Sequence, residues 1–185
     1  MSKNRLNLTA GMILALNLIN TAGLCGAEVS GATNAAPRRV GIYDSRAVAV
    51  AFAGSASFRE WMKPVQADYD RARAAGDTNR MKQIDADMHA RQTLAHQQAF
   101  STAPVDEYLK YIEKEMPTIK QKAGVSAVIS KWNSEALKKY SSAEKVDVTM
   151  LLVDAFQPNE RQRKSAVEIQ KHKPISLEAA EKIKD

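Results

Sequence analysis

The 185-residue chain holds one cysteine, Cys25, so an internal disulfide and any metal site built from several thiolates are excluded. Aromatic residues make up only 6%, a balance that favours a helical, surface-rich protein over one with a large aromatic core. No Gly-rich turn follows the first strand-like run, where a dinucleotide fold needs backbone amides close to phosphate; in "DSRAVAVAFAG" the first glycine, Gly54, comes too late. The strongest apolar run, "MILALNLI", is too short for a membrane span of about 20 residues. Arg-rich blocks and base-stacking motifs are absent, so no nucleic-acid partner is expected. The net charge of +6 is spread along the chain and reads as attraction to anionic clients or peripheral contact with an anionic membrane surface.

What is present begins with a leader. Lys3 and Arg5 precede the apolar run, and small residues follow in "NTAGLCGA". This is the layout of an export signal over residues 1–27, with cleavage after Ala27 and Cys25 and Ala27 as the small residues before the cut. The alternative is a lipoprotein acylated at Cys25, but Leu24 and Ala22 stand in the reverse of the order a lipobox wants. Residues 28–37 have linker composition and are expected to be disordered.

From Arg38 the pattern becomes structural. Arg39 to Tyr43 alternates, with Val40 and Ile42 on one face. Asp44 or Ser45 can cap the helix that follows. Phe58, Trp61, Met62, Val65 and Tyr69 then form one helical stripe, with Pro64 expected to kink or restart the helix. Gly76 predicts a turn with positive φ, and Asp77 or Thr78 a cap for the next helix, 78–100. That helix is polar, with a narrow seam of Met81, Ile84 and Met88, as befits an arm packed on one partner. Beyond "STAP", the residues Val105, Tyr108, Leu109, Ile112, Met116 and Ile119 predict a third helix, bent at Pro117 and closed by Gly124. "VSAVISKW" is strand-like, and "ALKKY" is read as a possible returning strand of a hairpin. Asp147 is a plausible cap for a helix carrying Leu151, Leu152 and Phe156, which Pro158 stops. Residues 159–185 read as a charged tail of marginal order. The fold class is α+β and mostly helical: a small β body of N-terminal strand plus hairpin, an antiparallel helical-hairpin arm over about 55–103, and a C-terminal helix.

Candidate chemistry is sparse. Asp44 stands where a strand meets a helix, but no further acids or repeated βα units accompany it, so helix capping is the favoured role. Asp85 and His89 are one helical turn apart, and His96 lies two turns beyond His89. Two ligands do not close a metal site, so no metal is expected. Ser45 has no accompanying histidine constellation, so no triad is expected. No catalytic residue and no cofactor are assigned. Trp61 and Trp132 read as core or seam, and Met62, Met81, Met88 and Met116 as helix packing or soft client contacts.

The order of these parts resembles the Skp (OmpH-like) family of periplasmic chaperones. The likeness rests on the leader, the strand "VGIYDSRAV", the helical turn at "AAGD", the Gln-rich "RQTLAHQQAF", then "GVSAVISKW" and "DVTMLLVDAF", and covers about 38–158. The stretch from Ser45 to Gly76 is short for the family, so the arms are expected to be stubby. The resemblance implies a periplasmic, ATP-independent holdase, a homotrimer that binds unfolded outer-membrane or envelope proteins. On that reading Val40, Ile42, Val128, Ile129 and Leu152 form the oligomeric body core. Phe58, Trp61, Met62, Val65, Tyr69, Met81, Ile84 and Met88 form the arm seam or face the client. A sheet of so few strands is marginal alone, which argues for association. The alternative is a non-catalytic envelope scaffold or adaptor with one dedicated partner.

Overall fold

A computed structural model of the chain describes residues 39–183. The leader, Cys25 and the linker lie outside the described residues. The structure is mostly helical (66%) around a small three-stranded sheet.

Strand β1 (Arg39–Tyr43) is central, flanked by β2 (Ala127–Ser130) and β3 (Glu144–Asp147) in the order β2-β1-β3. Both pairings are parallel: Ile42 sits opposite Ile129 on one side and Asp147 on the other. The expected hairpin is therefore corrected. Strands of one direction need a crossover, and the segment between β2 and β3 supplies one. "ALKKY" belongs to helix α6 (Ser134–Lys139) and its end; Asn133 Oδ1 caps it, accepting from Ala136 N at 3.0 Å. Ala136, Leu137 and Tyr140 pack on Val40 and Ile129.

Helix α1 (Ser45–Ala53) is the hub. Its run of Ala and Val has no polar face beyond the first turn, the pattern of a helix buried all round. Ala47, Val48, Ala51 and Phe52 join Val105, Ile112 and Ile119 in the main core. Helix α7 (Thr149–Ala155) adds Leu152 and Val153 to it. The main core lies against the opposite sheet face from α6, with Tyr43 and Val128 turned toward it. Two expectations change here. Val40, Ile42 and Ile129 lie on one face and Val128 and Leu152 belong to the other, so they are not one cluster. One chain also covers both faces of its sheet, which removes the uncovered-face argument for association.

Helix α2 (Ala56–Ala75) starts at Ser55, whose Oγ accepts from Phe58 N at 3.1 Å, and continues through Pro64 without a break. It ends at Gly76, at φ 69°, a left-handed conformation that a side chain strains. Helix α3 (Thr78–Phe100) begins two residues later, and Asp77 caps it by accepting from Arg80 N at 2.9 Å. Asp68 pairs with Arg80 at 2.6 Å near the turn, and Arg91 lies 5.0 Å from the Trp61 ring farther from it. The expected third helix is broken into α4 (Asp106–Leu109), a 3₁₀ turn (Lys110–Ile112) and α5 (Met116–Ala123). Pro117 sits in the first turn of α5, where its missing N–H costs nothing, so it starts a helix rather than bending one.

The marginal tail is corrected as well. Helix α8 (Glu160–Ile169) opens with a capping box between Asn159 and Gln162 and lays Ala166, fully buried, into the main core. The Gln162 side chain covers Gly54 so closely that a Cβ there would lie 1.8 Å from it. Helix α9 (Leu177–Glu181) packs on α3, and Ser101 Oγ donates to Ile175 O at 2.7 Å.

Candidate functional site

Two places concentrate polar or aromatic side chains. The first lies at the C-terminal ends of the parallel strands, where α/β sheets commonly bind ligands. Asp44 ends β1 and is 1% exposed, as is Arg46. The Asp44 carboxylate accepts from Arg46 N at 3.0 Å and from Arg46 Nε at 3.0 Å. It also accepts from Arg46 Nη2 at 2.7 Å, forms an ion pair with Lys131 Nζ at 2.7 Å and meets Trp132 Nε1 at 3.4 Å. Asp44 N donates to Thr149 Oγ1 at 3.0 Å, tying β1 to the start of α7. Burial alone would raise the Asp44 pKa; the hydrogen bonds and charges of Arg46 and Lys131 outweigh it and hold the carboxyl below its usual range.

This carboxylate has its lone pairs occupied by donors from its own chain. Asp44 thus caps α1, the role read for it from sequence, and also anchors a buried ion pair. Arg46 extends the anchor by donating Nη1 to His172 O at 3.0 Å, which fastens the C-terminal segment to α1. Trp132, read as core, is half-buried, with Lys131 Nζ 4.7 Å and Arg46 5.3 Å from its ring. The N-cap of α7 is Val148 rather than Asp147, which stands one residue earlier and accepts from Thr149 N at 2.8 Å through Oδ1.

The second place is a half-open cleft of about 870 Å³ between α2, α3 and the α4–3₁₀ segment. Phe58, Trp61 and Met62 come from α2, and Met88 and Leu94 from α3. Phe52 of α1 and Tyr108 and Tyr111 form the floor. Tyr108 stacks on Phe52 with centroids 4.1 Å apart and 15° between planes. Its hydroxyl donates to Gln98 Oε1, whose amide donates in turn to Pro104 O at 2.8 Å and Glu107 Oε1 at 3.1 Å. Burial and the Glu107 charge push the Tyr108 hydroxyl up to about 12, so it stays a donor at neutral pH. Gln98 is 1% exposed, and this network fixes the floor to the end of α3.

Of the residues expected to face a client, Phe58, Trp61, Met62 and Met88 line the cleft. Val65, Tyr69, Met81 and Ile84 lie outside its lining, nearer the Gly76 turn. Phe52, Tyr108 and Tyr111 were not among the residues expected to face a client. Tyr108 and Tyr111 are three apart, a spacing that puts two rings on one helical face and could have drawn notice. Asp85, His89 and His96 also line the cleft. Among the described residues no group of three His, Cys, Asp or Glu side chains is placed to hold a metal. No described helix is long and apolar enough to cross a membrane. No protein-family model, no curated protein and no solved structure matches this chain.

Proposed function

We propose that this chain is an exported, non-catalytic binding protein that holds short apolar segments of unfolded envelope proteins without ATP. The cleft carries the reading: a half-open space of about 870 Å³ with a floor of aromatic rings and thioether side chains on its walls. That volume falls in the range of roughly 300–1,000 Å³ that encloses one drug-sized ligand. It suits a few residues of a client rather than a whole unfolded chain. The cage of the Skp-like resemblance is thereby reduced to a grip. Helices α2 and α3, joined at Gly76, are read as the antiparallel arm that forms one side of this grip. The paired contacts Asp68–Arg80 and Trp61–Arg91 support that reading.

The leader over residues 1–27 supports placement in the periplasm, and N-terminal sequencing of the protein from its native host tests it. The resemblance adds a homotrimer. With both sheet faces covered within one chain, its contacts would fall to the edges β2 and β3. Sedimentation equilibrium at micromolar concentration tests this, and a monomer rejects it. The central experiment dilutes several unrelated outer-membrane β-barrel proteins out of urea and follows light scattering with and without this protein. Suppression for all of them without nucleotide is the expected result. Suppression for none rejects the holdase and leaves an adaptor with one dedicated partner, which a cleft of this size also suits.

A further inference from the structure

The chain has two Trp, five Tyr and four Phe, and nearly half of these rings line the one cleft. They are also ordered around a hub. Tyr111 lies 5.0 Å from Phe52, tilted by 40°. Phe58 meets Phe52 edge-on at 5.7 Å and 81°, and Trp61 follows Phe58 at 5.7 Å. A closed core would cover such a set. Here Tyr111 stays 45% exposed and Leu94 40% exposed, so apolar and ring surface faces the open side. Around them stand Asp85, Arg91 and Lys110, none of which is in an ion pair among the described residues. Arg91 instead lies over the Trp61 ring.

We infer that the ligand of this cleft is an extended protein segment bearing aromatic side chains, taken up against Phe58, Trp61 and Tyr111, the half-buried and exposed rings that surround the buried Phe52. The inference rests on the cleft being the binding site, and it names what that site selects. Rings carry a negative face and a positive edge, so an incoming ring gains edge-to-face and offset contacts that an aliphatic side chain of similar size does not. An extended chain places residues two apart on the same side, so an aromatic-x-aromatic segment delivers both rings together. Asp85, Arg91 and Lys110 give this lining both signs of charge. That suits a polypeptide, whose flanking side chains carry both signs, better than a fatty acid, whose only charge is a carboxylate.

The test uses the purified full chain and two labelled octapeptides, Ser-Lys-Phe-Ser-Phe-Asp-Gly-Ser and its analogue with both Phe replaced by Leu. Fluorescence anisotropy gives the affinities, and decanoate is the lipid probe in competition. Each ring contact is worth roughly threefold in affinity, so the Phe peptide is expected to bind about tenfold more tightly than the Leu peptide. Tyr111→Leu, an exposed position, should reduce that ratio to about threefold and leave the Leu peptide unchanged. Phe58→Leu should act in the same direction, with thermal unfolding confirming that each variant is folded. Equal affinities for the two peptides overturn the aromatic selectivity while leaving the cleft as the client site. Binding of decanoate with neither peptide bound overturns the inference in favour of a lipid. Absence of binding by all three probes overturns both the inference and the reading of the cleft.

Discussion

Helix α1 buries Ser45, Arg46, Ala47, Val48, Ala49, Ala51 and Phe52, seven of its nine residues, whereas α2 buries only Ala72 of its twenty. Helix α3, longer still at 23 residues, buries only Ile84 and Gln98. The contrast separates two kinds of helix. Helix α1 is held by the packing of α3, α7 and α8 around it. Helices α2 and α3 are held by caps, by exposed ion pairs and by a seam of half-buried side chains. Apolar surface left uncovered in a folded chain is available to a ligand. Stability should therefore sit in the body around α1, and binding in the cleft that α2 and α3 wall.

Substitutions in the body should give the largest effects. Asp44→Ala leaves Arg46 buried without its counter-charge, with an expected loss of about 3–5 kcal/mol in urea unfolding. Leu152→Ala opens a cavity at a fully buried site in the same core and should cost about 2–5 kcal/mol. Met88→Ala, in the cleft wall, should change stability by only on the order of 0.5 kcal/mol. A loss at Met88 as large as at Leu152 would break the comparison.

Acid sharpens it further. The folded-state pKa of Asp44 lies below its unfolded value, so its contribution is fully present above about pH 4. That contribution is lost as pH falls through the folded value. Wild-type stability should drop as pH falls below about 4, and Asp44→Asn, already less stable, should drop less over the same acid range. Parallel curves would remove Asp44 from the acid response.

Hydrogen exchange compares the regions without a mutation. Amides of α1 and β1 should exchange at the global unfolding rate, and those around residues 70–85, flanking the Gly76 turn, much faster. Uniform protection would mean that the two regions unfold as one. The smallest effect belongs to an exposed pair. Arg80 and Arg71 hydrogen-bond Asp68 and hold its carboxyl low, but all three side chains meet solvent. Asp68→Asn should leave the urea midpoint unchanged within error.

Local signals carried the elements whose identity depends on neighbours in the chain. Alternation predicted β1, Asp44 or Ser45 the start of α1, Asp77 or Thr78 the start of α3, and Gly76 the turn between α2 and α3; Asp44 and Asp77 are the caps. Of the stripe on α2, Phe58, Trp61 and Met62 line the cleft, and of the seam on α3 only Met88 does. The α8 contact was not legible, because it is made by Ala166 and the Gln162 amide, residues that carry no hydrophobic stripe. Small side chains are buried through close approach, and close approach depends on the partner.

By itself, then, the sequence determined a mostly helical chain with a short first strand, two long capped helices and an unusually apolar helix between β1 and α2. Capping and periodicity act within a few residues, so they are written in the chain. Tertiary structure alone decided that β2 and β3 run parallel to β1, because a short apolar run has no preference for the direction of its partner. It alone made "ALKKY" a crossover helix, since strand order sets what the connection must span. And it alone gathered Phe52, Tyr108, Tyr111 and Trp61 around one cleft, because a cleft is formed by elements far apart in sequence whose shared burial no local pattern encodes.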